Sequence, residues 1–273
     1  MKNILLLLDV LHSPVPVLSS AINTAKTSGA FVEVIFLHRV HFLVDLVYPL
    51  GTDLPGLEAD EQADRQILDD NTQLIRDTFT PAGVKFVISE EETTSLDDLL
   101  EKSAFSDLIL TDARTKVSDF LYAPLDVSMN DLLSDAHCPL LLLREDGMPP
   151  DKIVLAYDGS YSSIYAIKQF CYLFPGLCSL PTFLVTIPSD EKKGVEHGKY
   201  LNDWAPYHFE NIRVEVLPGK PPEILPDFIN HHGGVPLVVM GAYGRTAISR
   251  LFRQSLANSV LERTAASLFV THE

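Results

Sequence analysis

Asp151-Lys152-Ile153-Val154-Leu155-Ala156-Tyr157-Asp158 is a short apolar run closed by an aspartate, and Lys2-Asn3-Ile4-Leu5-Leu6-Leu7-Leu8-Asp9 has the same form near the start of the chain. A helical pattern follows each: Ser13 to Ser28 and Ser160 to Leu173 carry serine near their starts and apolar residues at helical spacing thereafter. The same order of elements then runs twice. Second strands are expected at Phe31 to Leu37 and Thr182 to Ile187, then a long helical pattern at Leu57 to Phe79 and a weaker one at Glu191 to Trp204. Third strands at Val84 to Ile88 and Ile212 to Leu217 lead to short helices at Leu96 to Lys102 and Glu223 to Asn230. Fourth strands at Leu108 to Thr111 and Leu237 to Met240, a helix, and final strands at Leu140 to Leu143 and Leu268 to Val270 complete the two repeats. Strands that alternate with helices and are apolar almost throughout imply a parallel sheet covered on both faces.

The chain of 273 residues is long enough for two domains of about 140 residues each. Gly147-Met148-Pro149-Pro150 reads as the linker, which sets the domains at 1–146 and 151–273. Their charges differ. Residues 1–146 hold 10 Lys and Arg against 25 Asp and Glu, while the remainder holds 11 against 12. An acidic first half repels polyanions, so nucleic acid is excluded as a partner class, whereas a small nucleotide can still bind where backbone amides and arginines converge. Three cysteines are too few and odd in number for a disulfide framework, which points to a reducing, cytoplasmic setting. No transmembrane segment is expected. Ile4 to Leu8 is too short an apolar core for a secretory signal and reads as a first strand.

Right-handed crossovers make each repeat doubly wound, and such folds bind ligands outside the carboxyl ends of the strands, between the first and fourth. Asp158 and the stretch Met240-Gly241-Ala242-Tyr243-Gly244 would face that crevice in the second repeat. Two glycines at this spacing after a strand let the backbone turn and aim N–H groups at an anion. Gln254-Ser255 follows after a nine-residue spacer, with Val260 beyond. Arg245, Arg250 and Arg253 flank the loop; they suit phosphate by forked hydrogen bonding, or they pair with acidic surface. The corresponding crevice of the first repeat would be lined by Asp9 and Thr111 to Lys116, a stretch with no glycine in which Asp112 sets a negative charge near any phosphate.

These residues resemble the universal stress protein family in its tandem form. The likeness covers essentially the whole chain in element order, and its motifs lie in the second half: Ile153 to Ser160, Gly219-Lys220-Pro221-Pro222-Glu223-Ile224, and Gly241 to Val260. It implies two tandem Rossmann-like α/β domains, of the adenine nucleotide alpha hydrolase type, each a five-stranded parallel sheet of order 3-2-1-4-5. It also implies that ATP or AMP binds in the C-terminal domain alone. Adenosine would be held by Ala156, Asp158 and Ile187, and ribose and phosphates by Met240, Gly241, Gly244, Gln254, Ser255 and Leu256. Gln254 departs from the family pattern, which keeps a glycine there. Function would be non-catalytic and linked to the stress response, with an intrachain pseudo-dimer, a homodimer of chains and an unidentified protein partner. The alternatives are an ATP-hydrolysing or adenylating enzyme, and an interaction module without ligand. No Lys of a Walker motif follows Gly244, no nucleophile and base pair is evident, and no catalytic residue is assigned.

Other features read more plainly. Asp158 either touches a ligand or caps the following helix. His231-His232 and His38 with His41 lack carboxylates or cysteines at ligand spacing, so no metal site is assigned. Cys171 and Cys178 bracket a helix end containing Pro175-Gly176; buried thiols are the default reading and a redox pair the alternative. Phe42 to Leu57 is apolar enough to pack against a neighbouring domain or chain, or to cover a pocket.

Overall fold

A computed structural model describes residues 1–9, 15–37, 57–89, 96–112, 129–144, 146–188, 197–241 and 256–271. The expectations for Phe42 to Leu57, His38, His41, the loop residues 113–116, Arg245, Arg250 and Arg253 lie outside these, as do Gly244, Gln254 and Ser255. By contact, the chain divides into two compact units, Met1–Leu132 and Leu133–Glu273.

The first unit runs β1 (Asn3–Asp9), α1 (Val15–Ser28), β2 (Phe31–Leu37), α2 (Leu57–Ala82), β3 (Phe86–Ile88), α3 (Leu96–Ala104) and β4 (Leu108–Asp112). All its strand pairs are parallel, in the order β3-β2-β1-β4. The central strand β1 is buried from Ile4 to Asp9, which is why it reads as an unbroken leucine run rather than an alternating one. Helices cover it through residues spaced for one face: Val17, Leu18, Ala21 and Ala25 of α1, and Ile75 and Phe79 of α2. Phe79 meets Phe86 of β3 edge-on at 5.3 Å. Lys102 of α3 reaches Glu33 of β2 at 2.7 Å.

In the second unit, α4 (Met129–Asp135), across which the division falls, is followed by β5 (Leu140–Leu143) and β6 (Lys152–Ala156). Next come α5 (Tyr161–Leu173), a 3₁₀ turn at Pro175–Ser179, β7 (Thr182–Thr186), α6 (Gly198–Trp204), a second 3₁₀ turn at Ala205–Tyr207, and β8 (Ile212–Val216). α7 (Pro221–His232), β9 (Pro236–Gly241), a final helix α8 described over 256–263, and β10 (Ser267–Thr271) complete it. The parallel order is β8-β7-β6-β9-β10, which in repeat terms is 3-2-1-4-5.

β5 runs antiparallel to β10, with Leu141 opposite Phe269. The repeat boundaries 1–146 and 151–273 follow sequence, whereas contact counts β5 with the second unit because of this pairing. The two 3₁₀ turns were not expected. Turns this short carry too little periodicity to register in sequence.

Candidate functional site

In the second unit the chain leaves β6 and β9 at the point where strand order reverses, and there Ala156 and Met240 are direct register partners. A cleft opens above them, with about 490 Å³ of empty space when the solvent at its open mouth is included. Its floor is Ala156, Tyr157, Met240 and Gly241; β7 adds Val185 and the residue Ile187 beyond its end. Helices supply the sides: Ser163 of α5, Pro221 and Leu225 of α7, and Leu256 of α8. Asp158 is the one charged residue of this lining.

Six sequence-selected residues therefore meet in one cleft: Ala156, Asp158, Ile187, Met240, Gly241 and Leu256. Gly244, Gln254 and Ser255 fall outside the described residues. Sequence reasoning passed over Tyr157, Ser163, Val185, Pro221 and Leu225. Two of these carried a signal. Val185 lies two residues before Ile187, on the same side of the strand, and Leu225 lies one helical turn beyond Pro221.

The turn after β6 is built from Asp158-Gly159-Ser160. Gly159 has φ +83° and is buried, a backbone position that a Cβ would strain. The Ser160 amide donates to Asp158 Oδ1 at 3.0 Å, and the Ser160 hydroxyl donates to the same oxygen at 2.5 Å. Ser160 is the N-cap of α5, its Oγ accepting from the Ser163 amide at 3.2 Å. The capping group is thus Ser160, and Asp158 holds that cap in place while its own exposed carboxylate lines the cleft. Ser160→Ala should lower unfolding free energy by about 1 kcal/mol. Asp158→Asn, which keeps an acceptor oxygen, should lower it by less than about 0.5 kcal/mol, the range of neutral surface changes. Urea denaturation measures both, and an Asp158→Asn loss as large as that of Ser160→Ala would contradict this division of labour.

Gly241 ends β9 under the first turn of α5. A Cβ there would lie 2.7 Å from the carbonyl carbon, carbonyl oxygen and Oγ of Ser162. The glycine is therefore demanded by helix packing, whatever the loop beyond it does.

The first unit differs at the equivalent place. Leu7 pairs with Thr111 as Ala156 pairs with Met240, so Asp112 stands where Gly241 does. Asp9 and Asp112 are both buried, and Thr111 Oγ1 donates to the Leu7 carbonyl at 2.9 Å.

Among the described residues, no group of three or more His, Cys, Asp or Glu is placed to hold a metal ion. His232 has its Nδ1 2.9 Å from the Phe228 carbonyl and packs on the rings of Phe183 and Phe228. No described helix is long and apolar enough to cross a membrane.

No family model matches the chain. A curated protein, universal stress protein Slr1230 of Synechocystis sp., is 26% identical over 194 residues, which cover 70% of this chain and 67% of that one. Among solved structures, a universal stress protein from Archaeoglobus fulgidus superposes with a TM-score of 0.72 at 15% identity, covering 99% of this chain and 96% of the other. A functionally unknown protein of Pseudomonas aeruginosa, PA1789, gives 0.57 at 16%, covering 100% and 92%. The structural likenesses speak for the α/β fold, a mostly parallel sheet with flanking helices. The chain is thus similar in sequence to a universal stress protein and similar in fold to solved structures of universal stress proteins.

Proposed function

We propose that this chain is a non-catalytic stress-response protein whose second unit takes up an adenine nucleotide, ATP or AMP, as a regulatory ligand. The observation that carries this reading is the cleft at the carboxyl ends of β6 and β9. Its walls from Ala156, Val185, Ile187, Leu225, Met240 and Leu256 are apolar, and Asp158 stands at its edge. A purine presents two apolar faces and a polar rim, the combination that such a slot accepts. In sequence, Gly244 lies three residues beyond Gly241, and Gln254-Ser255 follow after a nine-residue spacer, so the phosphates would extend toward those residues. A ligand that binds one conformation better than another biases the population between them, and this is how a protein without catalysis can report nucleotide level.

In the first unit, Asp112 at the place of Gly241 puts a buried carboxylate where phosphate would lie, which favours a structural or docking role. The antiparallel pairing of β5, the closing strand of the first repeat, with β10, the closing strand of the second, supports an intrachain pseudo-dimer. Three free cysteines support a reducing, cytoplasmic setting.

Calorimetry of ATP and of AMP, each with Mg²⁺, tests the reading on protein freed of co-purified nucleotide. One site per chain is expected. Ala156→Phe fills the floor of the cleft and should weaken binding by at least tenfold, about 1.4 kcal/mol. Absence of heat with the native chain would overturn nucleotide binding, and unchanged affinity in Ala156→Phe would move the site elsewhere. Steady ATP hydrolysis at saturating nucleotide would replace the non-catalytic reading with the enzymatic one.

A further inference from the structure

β8 is the outer strand of the second unit's sheet, and among the described residues its one strand partner is β7. The ladder between them fixes which way its backbone faces. The Thr182 amide donates to the Asn211 carbonyl at 2.8 Å, and the Leu217 amide donates to the Thr186 carbonyl at 3.0 Å. Backbone groups of alternate residues point to alternate sides of a strand, so those of 211, 213, 215 and 217 serve β7. The N–H and C=O groups of Ile212, Val214 and Val216 therefore face outward, and a row of this kind is a template for another strand.

Sheet edges are commonly protected by charge, and one sign repeated along an edge repels a second copy. β8 instead reads Ile212-Arg213-Val214-Glu215-Val216, apolar at every second position, with one cation and one anion placed symmetrically about Val214. Val214 and Val216 are 43% and 52% exposed, and Arg213 is exposed beside the half-buried Glu215. Among the described residues neither charge is engaged in an ion pair. β3, the outer strand of the first unit, offers three residues and no charge.

We propose that β8 is a homodimer interface, at which a second copy of this chain adds its own β8 antiparallel about a two-fold axis through Val214. In that register Val214 faces the partner's Val214 and Ile212 faces the partner's Val216. These are the outward-facing residues, so each such pair exchanges two backbone hydrogen bonds. Arg213 lies directly opposite the partner's Glu215, and Glu215 opposite the partner's Arg213, in the closer pairs between those bonds. Opposite residues share a face of the sheet, so the apolar residues of both copies merge into one stripe while the charges form two cross-strand pairs on the other face. Registers centred on Arg213 or on Glu215 would set like charges opposite each other, and the charge pattern thereby selects Val214 as the centre. The interface is separate from the cleft, whose lining includes none of these residues.

Sedimentation equilibrium of the full chain tests the proposal, with melting curves confirming that each variant is folded. The native chain should dimerise reversibly at micromolar concentrations, as small interfaces do. The axis repeats each pair, so Arg213→Glu sets two like-charge pairs across the interface and Glu215→Arg does the same with the other sign. Each should raise the dissociation constant at least about tenfold. An equimolar mixture of the two single variants should form a heterodimer, and the double variant Arg213→Glu with Glu215→Arg should return to within about threefold of the native value, since both restore the opposite-charge pairs. A native chain that stays monomeric up to about 500 μM overturns the proposal. So does a native dimer that neither single reversal weakens, which would place the contact on another surface. Single variants that are weakened but are not restored by mixing also overturn it.

Discussion

Gly241→Val is expected to unfold the second unit rather than to disable a phosphate loop alone. The added Cβ meets the carbonyl carbon, carbonyl oxygen and Oγ of Ser162, all at 2.7 Å, and two of these atoms are backbone in the first turn of α5. A flexible side chain could swing aside, but a helix can relieve such contacts only by moving off the sheet. Overpacking of this kind costs about 1–3 kcal/mol for small additions, so Gly241→Ala should fall in that range and Gly241→Val above it. Urea unfolding is the measurement, and a loss under about 1 kcal/mol for Gly241→Val would refute the packing argument. Adding Ser162→Ala removes only the hydroxyl and leaves the backbone contacts, so the double variant should recover little. Loss of nucleotide binding in Gly241→Val therefore says nothing by itself about phosphate recognition. Ala156→Phe is the more direct probe of the cleft, because Ala156 lines its floor.

Phe269→Ala should cost about 3–5 kcal/mol, the range for truncating a fully buried aromatic. Phe269 is 0% exposed and lies on β10 between Val239 of β9 and Leu141 of β5. Its ring meets Phe170 at 5.7 Å and Phe174 at 6.0 Å, both edge-on, and thereby anchors the C-terminal half of α5 to the sheet. Against a total stability of about 5–15 kcal/mol for an ordinary domain, this one ring holds a large share. The urea midpoint should fall with the slope unchanged, and a shift below about 1 kcal/mol would show that the site collapses to fill the void. Phe269→Leu, which keeps most of the volume, should lose less than half as much. Since the Phe174 carbonyl also accepts from the Cys178 thiol, Phe269→Ala tests whether the turn at Pro175–Ser179 depends on this aromatic packing.

The element order of both repeats was legible because its signals are local. Leucine and valine runs such as Leu5 to Leu8 and Leu237 to Val239 mark strands buried on both faces, and the serine before α5 marks a helix start. The strand-borne part of the cleft followed from the same information. Once β6 and β9 are adjacent and parallel, their carboxyl ends coincide, so Ala156, Asp158, Met240 and Gly241 must stand together. Asp112 could likewise be recognised as a misplaced charge, because it sits in the same loop order as the glycine it replaces.

What sequence alone determined about this protein is the doubly wound arrangement of its second unit and the strand ends on which a ligand would rest. Tertiary structure alone decided why Gly241 is glycine, since Ser162 approaches it from a distant part of the chain. It also decided which faces of α5 and α7 wall the cleft, and that β5 pairs antiparallel with β10. The reason is physical. Periodicity and propensity report how a residue stands relative to its own element, whereas helix-to-sheet distance, partner choice at a strand edge and side-chain contact across a turn are settled by close packing among elements, where a single methyl group at 2.7 Å changes the outcome.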